Sequence, residues 1–149
     1  MALTGFEYFR QFSLRSEYFR ALAELSQLQQ QAIAASDYSS LLETLQHKQQ
    51  LIDRLGEWSR DQAAAWAAWP QVRDQLDDEL RGRCETCLAT SEQLLAQLLE
   101  AEANCTRELT VKRDRTRQEL AAVSTGHLAH AAYHDREAPP LAARFDFDS

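Results

Sequence analysis

Three cysteines and a group of three histidines are the side chains in this sequence best suited to chemistry. Cys84 and Cys87 have the two-residue separation found in zinc sites and in thioredoxin-like redox sites. A zinc site needs two further ligands, and Cys105 lies about 27 Å from Cys87 along a continuous helix. The pair also lacks the strand-to-helix context of a redox motif. We therefore expect buried or half-buried structural thiols, with a thiol or metal sensor as the alternative.

The three histidines, His127, His130 and His134, follow one another at steps of three and four residues. On a continuous helix they line one face, about one turn apart. Imidazoles at this spacing bind zinc, nickel or copper. The acidic residues beside them are Asp135 and Glu137 alone. The simpler interpretation is a polar helix end that contains several histidines, and a metal site is the alternative.

No motif of an enzyme active site occurs in the sequence. It contains no Gly-rich phosphate loop, no Gly-x-Ser-x-Gly elbow and no His-Glu-x-x-His pair. Carboxylates such as Asp77, Asp78 and Glu79 lie in charged runs, with no architecture that would pair two of them as acid and base. We expect a protein with no catalytic activity and no cofactor.

The charge balance restricts the class of partner. A net charge of -7 and a pI near 5.1 argue against binding nucleic-acid phosphates. One basic run is interrupted by Asp114, which indicates a solvated helix face. The basic residues of this run are Lys112, Arg113, Arg115 and Arg117. No apolar run has the length of a membrane span, no signal peptide is recognisable, and an odd number of cysteines suits a reducing compartment. We expect a cytoplasmic protein without nucleic-acid partners.

Composition predicts an all-α fold. Four Gly and three Pro in 149 residues leave little turn chemistry, while Ala, Leu, Gln, Glu and Arg favour helices. Leucines and cysteines recur at alternating three- and four-residue steps from Leu76 to Val123, which is typical of coiled-coil-like packing. We therefore predict an elongated antiparallel helical hairpin or three-helix bundle with a flexible C-terminal tail.

The predicted helices cover about 16–35, 38–66, 71–124 and 127–133, in one domain spanning 1–133. Ser16 and Asp37 are the predicted N-caps, Pro70 marks the bend, and Gly126 marks the end of the third helix. The segment before Ser16 has no clean period, and 134–149 is predicted to be a disordered tail.

Three tryptophans, Trp58, Trp66 and Trp69, cluster around the predicted bend. The favoured interpretation is a cap that fills the end of the hairpin. The alternative is an exposed aromatic patch that binds a partner. The third helix is also longer than its neighbours, so part of its apolar seam should stay open for a partner, and a homodimer is one such arrangement.

A further pattern resembles the FlgN-type flagellar export chaperones. It runs through the first two helices as leucines from Leu22, Asp37 at the turn, Leu41-Leu42, Leu45, Lys48, Leu51-Ile52 and Leu55. It continues with Asn104, Leu109, Leu120, Val123, Gly126, Tyr133, a Pro-containing linker and Arg144-Phe145-Asp146.

The resemblance implies a cytoplasmic chaperone that binds hook-filament junction proteins, prevents their premature assembly and delivers them to the type III export apparatus. In that family the C-terminal part binds the client. The corresponding residues here are Leu109, Leu120, Val123, Leu128, Tyr133, Phe145 and Phe147. The alternative is a structural coiled-coil adaptor or dimerisation module with no role in export.

Overall fold

The computed structural model describes residues 3–137, with side chains from 3 to 134, and every regular element in that range is an α-helix. The all-α prediction is confirmed. The chain divides into two units, Met1–Glu108 and Leu109–Ser149. Four helices follow one another: α1 (Gly5–Ala34), α2 (Tyr38–Asp61), α3 (Ala63–Arg73) and α4 (Asp78–Glu137).

The first helix, α1, begins at Gly5 and not near Ser16. A capping box starts it: the Thr4 hydroxyl accepts from the Glu7 backbone N–H at 3.2 Å, and the Glu7 carboxylate accepts from the Thr4 N–H at 2.6 Å. Ser16, the predicted N-cap, lies buried in the middle of this helix. The helical period before Ser16 was missed because two further aromatic residues, the exposed Phe6 and the half-buried Phe9, are interspersed with the buried Tyr8 and Phe12.

Polar contacts show that α1 and α4 run parallel. The Ser16 hydroxyl lies 2.8 Å from that of Ser91 and donates to the Cys87 carbonyl at 3.1 Å. Further along, the Ser26 hydroxyl donates to the Glu102 carboxylate at 3.4 Å. In these pairs the α4 residue follows its α1 partner by 71 to 76 residues, so both helices advance in the same direction.

The second helix, α2, runs antiparallel to α1. Its Lys48 ammonium donates to the Gln29 side chain, whereas the later Trp58 indole donates to the earlier Gln11 at 2.6 Å. Lys48 also forms an ion pair with Glu102 of α4. The unit Met1–Glu108 is therefore a three-helix bundle of α1, α2 with α3, and the first part of α4. Asp37 is the N-cap of α2, as predicted, and accepts from the Ser40 N–H at 3.1 Å.

An aromatic cluster fills the end of this bundle where α1 begins. The Phe12 ring packs edge-on against Trp66 and Trp69, with centroids 5.0 and 4.9 Å apart. Tyr8 lies 5.3 Å from Trp69, and its hydroxyl donates to the Ala65 carbonyl at 2.7 Å. The structural interpretation of these two tryptophans is confirmed, since both pack against the buried residues Tyr8 and Phe12.

The predicted bend at Pro70 is wrong. The chain stays helical through Pro70, and the breaks fall at Gln62, between α2 and α3, and at 74–77, before α4. A proline inside a helix costs about 3 kcal/mol, but Trp66 and Trp69 anchor α3 in the aromatic cluster. Tertiary packing therefore outweighs the local preference.

The predicted end of the third helix near Gly126 is also wrong. The last helix, α4, continues to Glu137, so the separate helix predicted over 127–133 is part of it. A helical glycine costs about 1 kcal/mol and does not by itself end a helix. The predicted tail from His134 is helical as far as Glu137. Its remainder, with Phe145 and Phe147, lies outside the described residues.

Replacing Phe12 by alanine should destabilise the bundle by about 3 to 5 kcal/mol, because this ring is 1% exposed and contacts both tryptophans. Phe6→Ala is the matched control. Its ring is 59% exposed, and we expect a change within about 0.5 kcal/mol. Urea denaturation followed by circular dichroism measures both, and equal losses for the two variants would contradict the aromatic anchor.

Candidate partner-binding surfaces

The part of α4 that belongs to the second unit carries large apolar side chains in water. We call residues 109–134 the distal segment. Every side chain from 113 to 134 is exposed. Leu120, Val123, Leu128 and Tyr133 are 59 to 71% exposed, whereas Leu109 is half-buried. The distal segment is therefore a helix with several large apolar side chains exposed to solvent.

The predicted binding residues do not form a single stripe on this helix. At about 100° per residue, Leu109, Leu120 and Val123 lie within about 60° of one another. Leu128 and Tyr133 flank this line on opposite sides, each about 80° from its nearest member. The surface thus has a central line of three apolar residues with one large side chain on either side.

The three histidines of the distal segment, predicted as a separate group, continue the same central line. His127, His130 and His134 project within about 60° of each other and of Val123. The rings of His130 and His134 lie 4.4 Å apart, edge to face. Within residues 3–134, no three His, Cys, Asp or Glu side chains are placed to hold a metal ion. The sequence signal that could have linked them to the apolar line is their spacing from Val123, in steps of four, three and four residues.

The basic run in the distal segment does not form a charged face. At about 100° per residue, its four members spread over more than half of the helix circumference. Arg113 also pairs with its neighbour Asp114 at 3.3 Å. Arg113, Arg115 and Arg117 are exposed and Lys112 is half-buried, so the run is largely solvated, as predicted, but is not confined to one face.

A second exposed apolar surface lies on α2, in the unit Met1–Glu108. The leucine pattern of the sequence does not distinguish Leu42, Leu45 and Ile52 from the inward-facing Leu41 and Leu55. In the structure the two sets separate. Leu41 is buried, whereas Leu42, Leu45 and Ile52 are 65, 38 and 43% exposed, respectively. Tyr38, at the start of α2, is 53% exposed.

Lys48 sets the face that α2 turns inward. Lys48 is 6% exposed. Its ammonium donates to the side-chain carbonyl of Gln29 at 2.8 Å and pairs with the Glu102 carboxylate. Burial lowers the pKa of Lys48, because water no longer solvates the charged form. The sequence does not indicate Lys48 as a core position, since lysine is almost never buried unless it is paired.

The cysteines are core residues, as predicted. Cys84 and Cys105 are 0 and 1% exposed, and the half-buried Cys87 has its sulfur 3.6 Å from the Ser13 hydroxyl. Burial raises the pKa of Cys84 to about 11 and also raises the pKa of Cys105. The thiolate is the reactive form of cysteine, and a nucleophilic or redox-sensing cysteine has a lowered pKa. The raised pKa values of these two buried thiols therefore make them less reactive.

A cleft between α1 and α2 has walls of mixed polarity. Leu25 and Leu28 line it together with Asp37 and His47. The Asp37 carboxylate caps α2 and also accepts from the Ser40 hydroxyl at 2.7 Å, and these hydrogen bonds lower the pKa of Asp37. This carboxylate has a structural role at the helix end.

Comparisons were made with protein-family models, with curated proteins and with solved structures, and none of them finds a match to this chain. In the described part of the chain, no helix combines the length and apolar character needed to cross a bilayer. The resemblance to FlgN-type chaperones thus depends on the sequence pattern alone.

The raised pKa of Cys84 makes stability depend on alkaline pH. A thiol with an ordinary pKa of 9.0 when unfolded and about 11 when folded stabilises the fold fully below about pH 9, and this contribution is lost as the pH rises through 11. Between about pH 8 and 11, the wild type should lose roughly 2 kcal/mol more unfolding free energy than Cys84→Ala.

Leu22→Ala is the control for this comparison, because it removes a buried side chain that does not titrate. We expect it to keep the pH dependence of the wild type. Urea denaturation at a series of pH values measures the difference, and a Cys84→Ala profile that runs parallel to the wild-type profile would refute the role of this thiol.

Proposed function

We propose that this chain is a cytoplasmic flagellar export chaperone that binds hook-filament junction proteins through the distal segment of α4. The observation that carries the proposal is the exposure of large apolar side chains there, among them Leu120, Val123, Leu128 and Tyr133. Exposed apolar surface marks interaction sites on proteins, and here it is centred on Leu120 and Val123. The sequence resemblance supplies the class of client.

Helix-on-helix packing is the binding mode that suits this surface. Leu120 and Val123 are one turn apart, and Leu109 lies on the same line three turns earlier. An amphipathic client helix can place its own apolar residues against this line at steps of three and four. Burying one such leucine or valine contributes about 1.5 to 3 kcal/mol, which is offset in part by the loss of freedom on association.

A binding surface of this size suits temporary protection of a client. A chaperone must hold an assembly-competent helix and then release it at the export apparatus. A single line of apolar contacts buries little area, so we expect an affinity that allows release. In the proposal Phe145 and Phe147 add further anchors from the tail, as the resemblance implies.

Charge reversal in the apolar line tests the binding surface. Leu120→Glu places a carboxylate where the client helix should pack, and we expect at least a tenfold weaker Kd for a purified hook-filament junction protein. Gln118→Glu adds the same charge on the opposite side of the helix, about 160° away, and should leave Kd unchanged. Isothermal titration calorimetry measures both values.

The two parts of the proposal fail in different ways. If the wild type binds none of the hook-filament junction proteins of its source organism, the export role is refuted. If it binds one of them and Leu120→Glu binds equally well, the client is right but the distal segment is not its binding site.

A further inference from the structure

The exposed apolar residues of α2 follow a seven-residue repeat. Steps of four, three, four, three and four connect six positions, which we call the α2 stripe: Tyr38, Leu42, Leu45, Gln49, Ile52 and Gly56. At about 100° per residue they lie within about 80° of one another. This is the pattern of a helix that packs against a second helix in a coiled-coil-like contact. No other helix of the described chain covers Tyr38, Leu42 or Ile52, which are 43 to 65% exposed.

We infer that the α2 stripe is the contact between two copies of this chain, which pack α2 against α2 in antiparallel orientation. A two-fold interface requires that residue i contacts residue j while j contacts i. One alignment, centred at the level of His47, meets this condition for all six positions. It pairs Leu42 with Ile52, Leu45 with Gln49, and Tyr38 with Gly56 of the second copy.

The pairing places the large side chain of Tyr38 opposite Gly56, which has no side chain. Glycine is a poor helix former, yet Gly56 lies inside α2. Its own bundle does not require it, because an added Cβ would meet only the end of the Arg60 side chain, at 3.6 Å. In the antiparallel dimer, the missing side chain makes room for the exposed Tyr38 ring of the second copy.

Parallel packing fits the same residues poorly. It would place Tyr38 against Tyr38 and Gly56 against Gly56, which crowds one layer and empties another. Along the flank that contains Gln46, the antiparallel alignment brings no like charges together, since Gln46 faces Gln46 and Ser39 faces Asp53. Gln49 enters the interface with its amide already bonded, because it donates to its own Asp53 at 2.9 Å.

The area available indicates a weak dimer. The four exposed side chains of the stripe leave on the order of 400 Å² per copy, a large apolar patch for one protein. The stripes of both copies, with their flanking residues, would together bury a total surface area close to about 1,200 Å², the lower limit for specific interfaces. We therefore expect a monomer–dimer equilibrium that depends on concentration. This dimerisation does not rest on the proposed client binding, because the α2 stripe and the distal segment share no residues.

Sedimentation equilibrium over a concentration series tests the interface. The wild type should dimerise, and Leu42→Glu should raise the dimer dissociation constant at least 100-fold. Leu99→Glu is the matched control, since Leu99 of α4 is exposed to a similar extent, 62% against 65%, but lies off the stripe. It should dimerise as the wild type does. A wild type that stays monomeric, or equal effects of the two variants, would overturn the inference.

Cysteine cross-linking tests the orientation. Under mild oxidation Gln46→Cys should form a disulfide-linked dimer, because the two copies of residue 46 lie at nearly the same level. Tyr38→Cys should not, since its two copies lie about 27 Å apart along the antiparallel helices. The wild type measures any background from Cys84, Cys87 and Cys105. Cross-linking of Tyr38→Cys without Gln46→Cys would indicate a parallel pair and overturn the proposed alignment.

Discussion

The buried ammonium of Lys48 is the interaction on which the rest of the bundle depends. A charge removed from water is tolerated only when it is paired and hydrogen-bonded, and Gln29 of α1 and Glu102 of α4 provide these partners. This single side chain therefore links three helices at one level. It also fixes the rotation of α2, because turning Leu42 or Ile52 inward would carry Lys48 away from its partners.

A second polar contact and the aromatic cluster complete the alignment of the helices. The hydroxyls of Ser16 and Ser91 meet at a buried level of α1 and α4, and Phe12 with Trp66 closes the end of the bundle. Leucines alone could pack in several registers, whereas each buried polar group needs its own partner. The core is therefore specified by a few polar pairs, and several leucines remain on the surface.

The sequence predicted the helical class and several local features, but not which faces are buried. Asp37 was recognised as an N-cap because its carboxylate and the following residues form a local signal. The start of α1 was missed because Ser16 reads as a polar residue, although Ser91 satisfies it in the core. Pro70 was read as a bend since local preference cannot include the packing of the neighbouring Trp69. Long-range partners decided the positions of Ser16 and Pro70, which local preference could not predict.

The exposed apolar line of the distal segment is the surface that the proposed client would bury. A helix without tertiary packing is only marginally stable in water, because its backbone hydrogen bonds must offset the ordering of the chain. The segment's side chains from 113 to 134 are exposed, so its stability should increase when a client helix covers Leu120 and Val123. Binding and ordering are then coupled in the same helix.

Hydrogen–deuterium exchange with and without a purified hook-filament junction protein tests this account most directly. In the free chain, amides of 113–134 should exchange faster than those of α1 around Phe12 and Leu22, which lie in the core. On addition of the client, protection should appear in 113–134. Protection confined to α1 and α2, with 113–134 unchanged, would contradict the account.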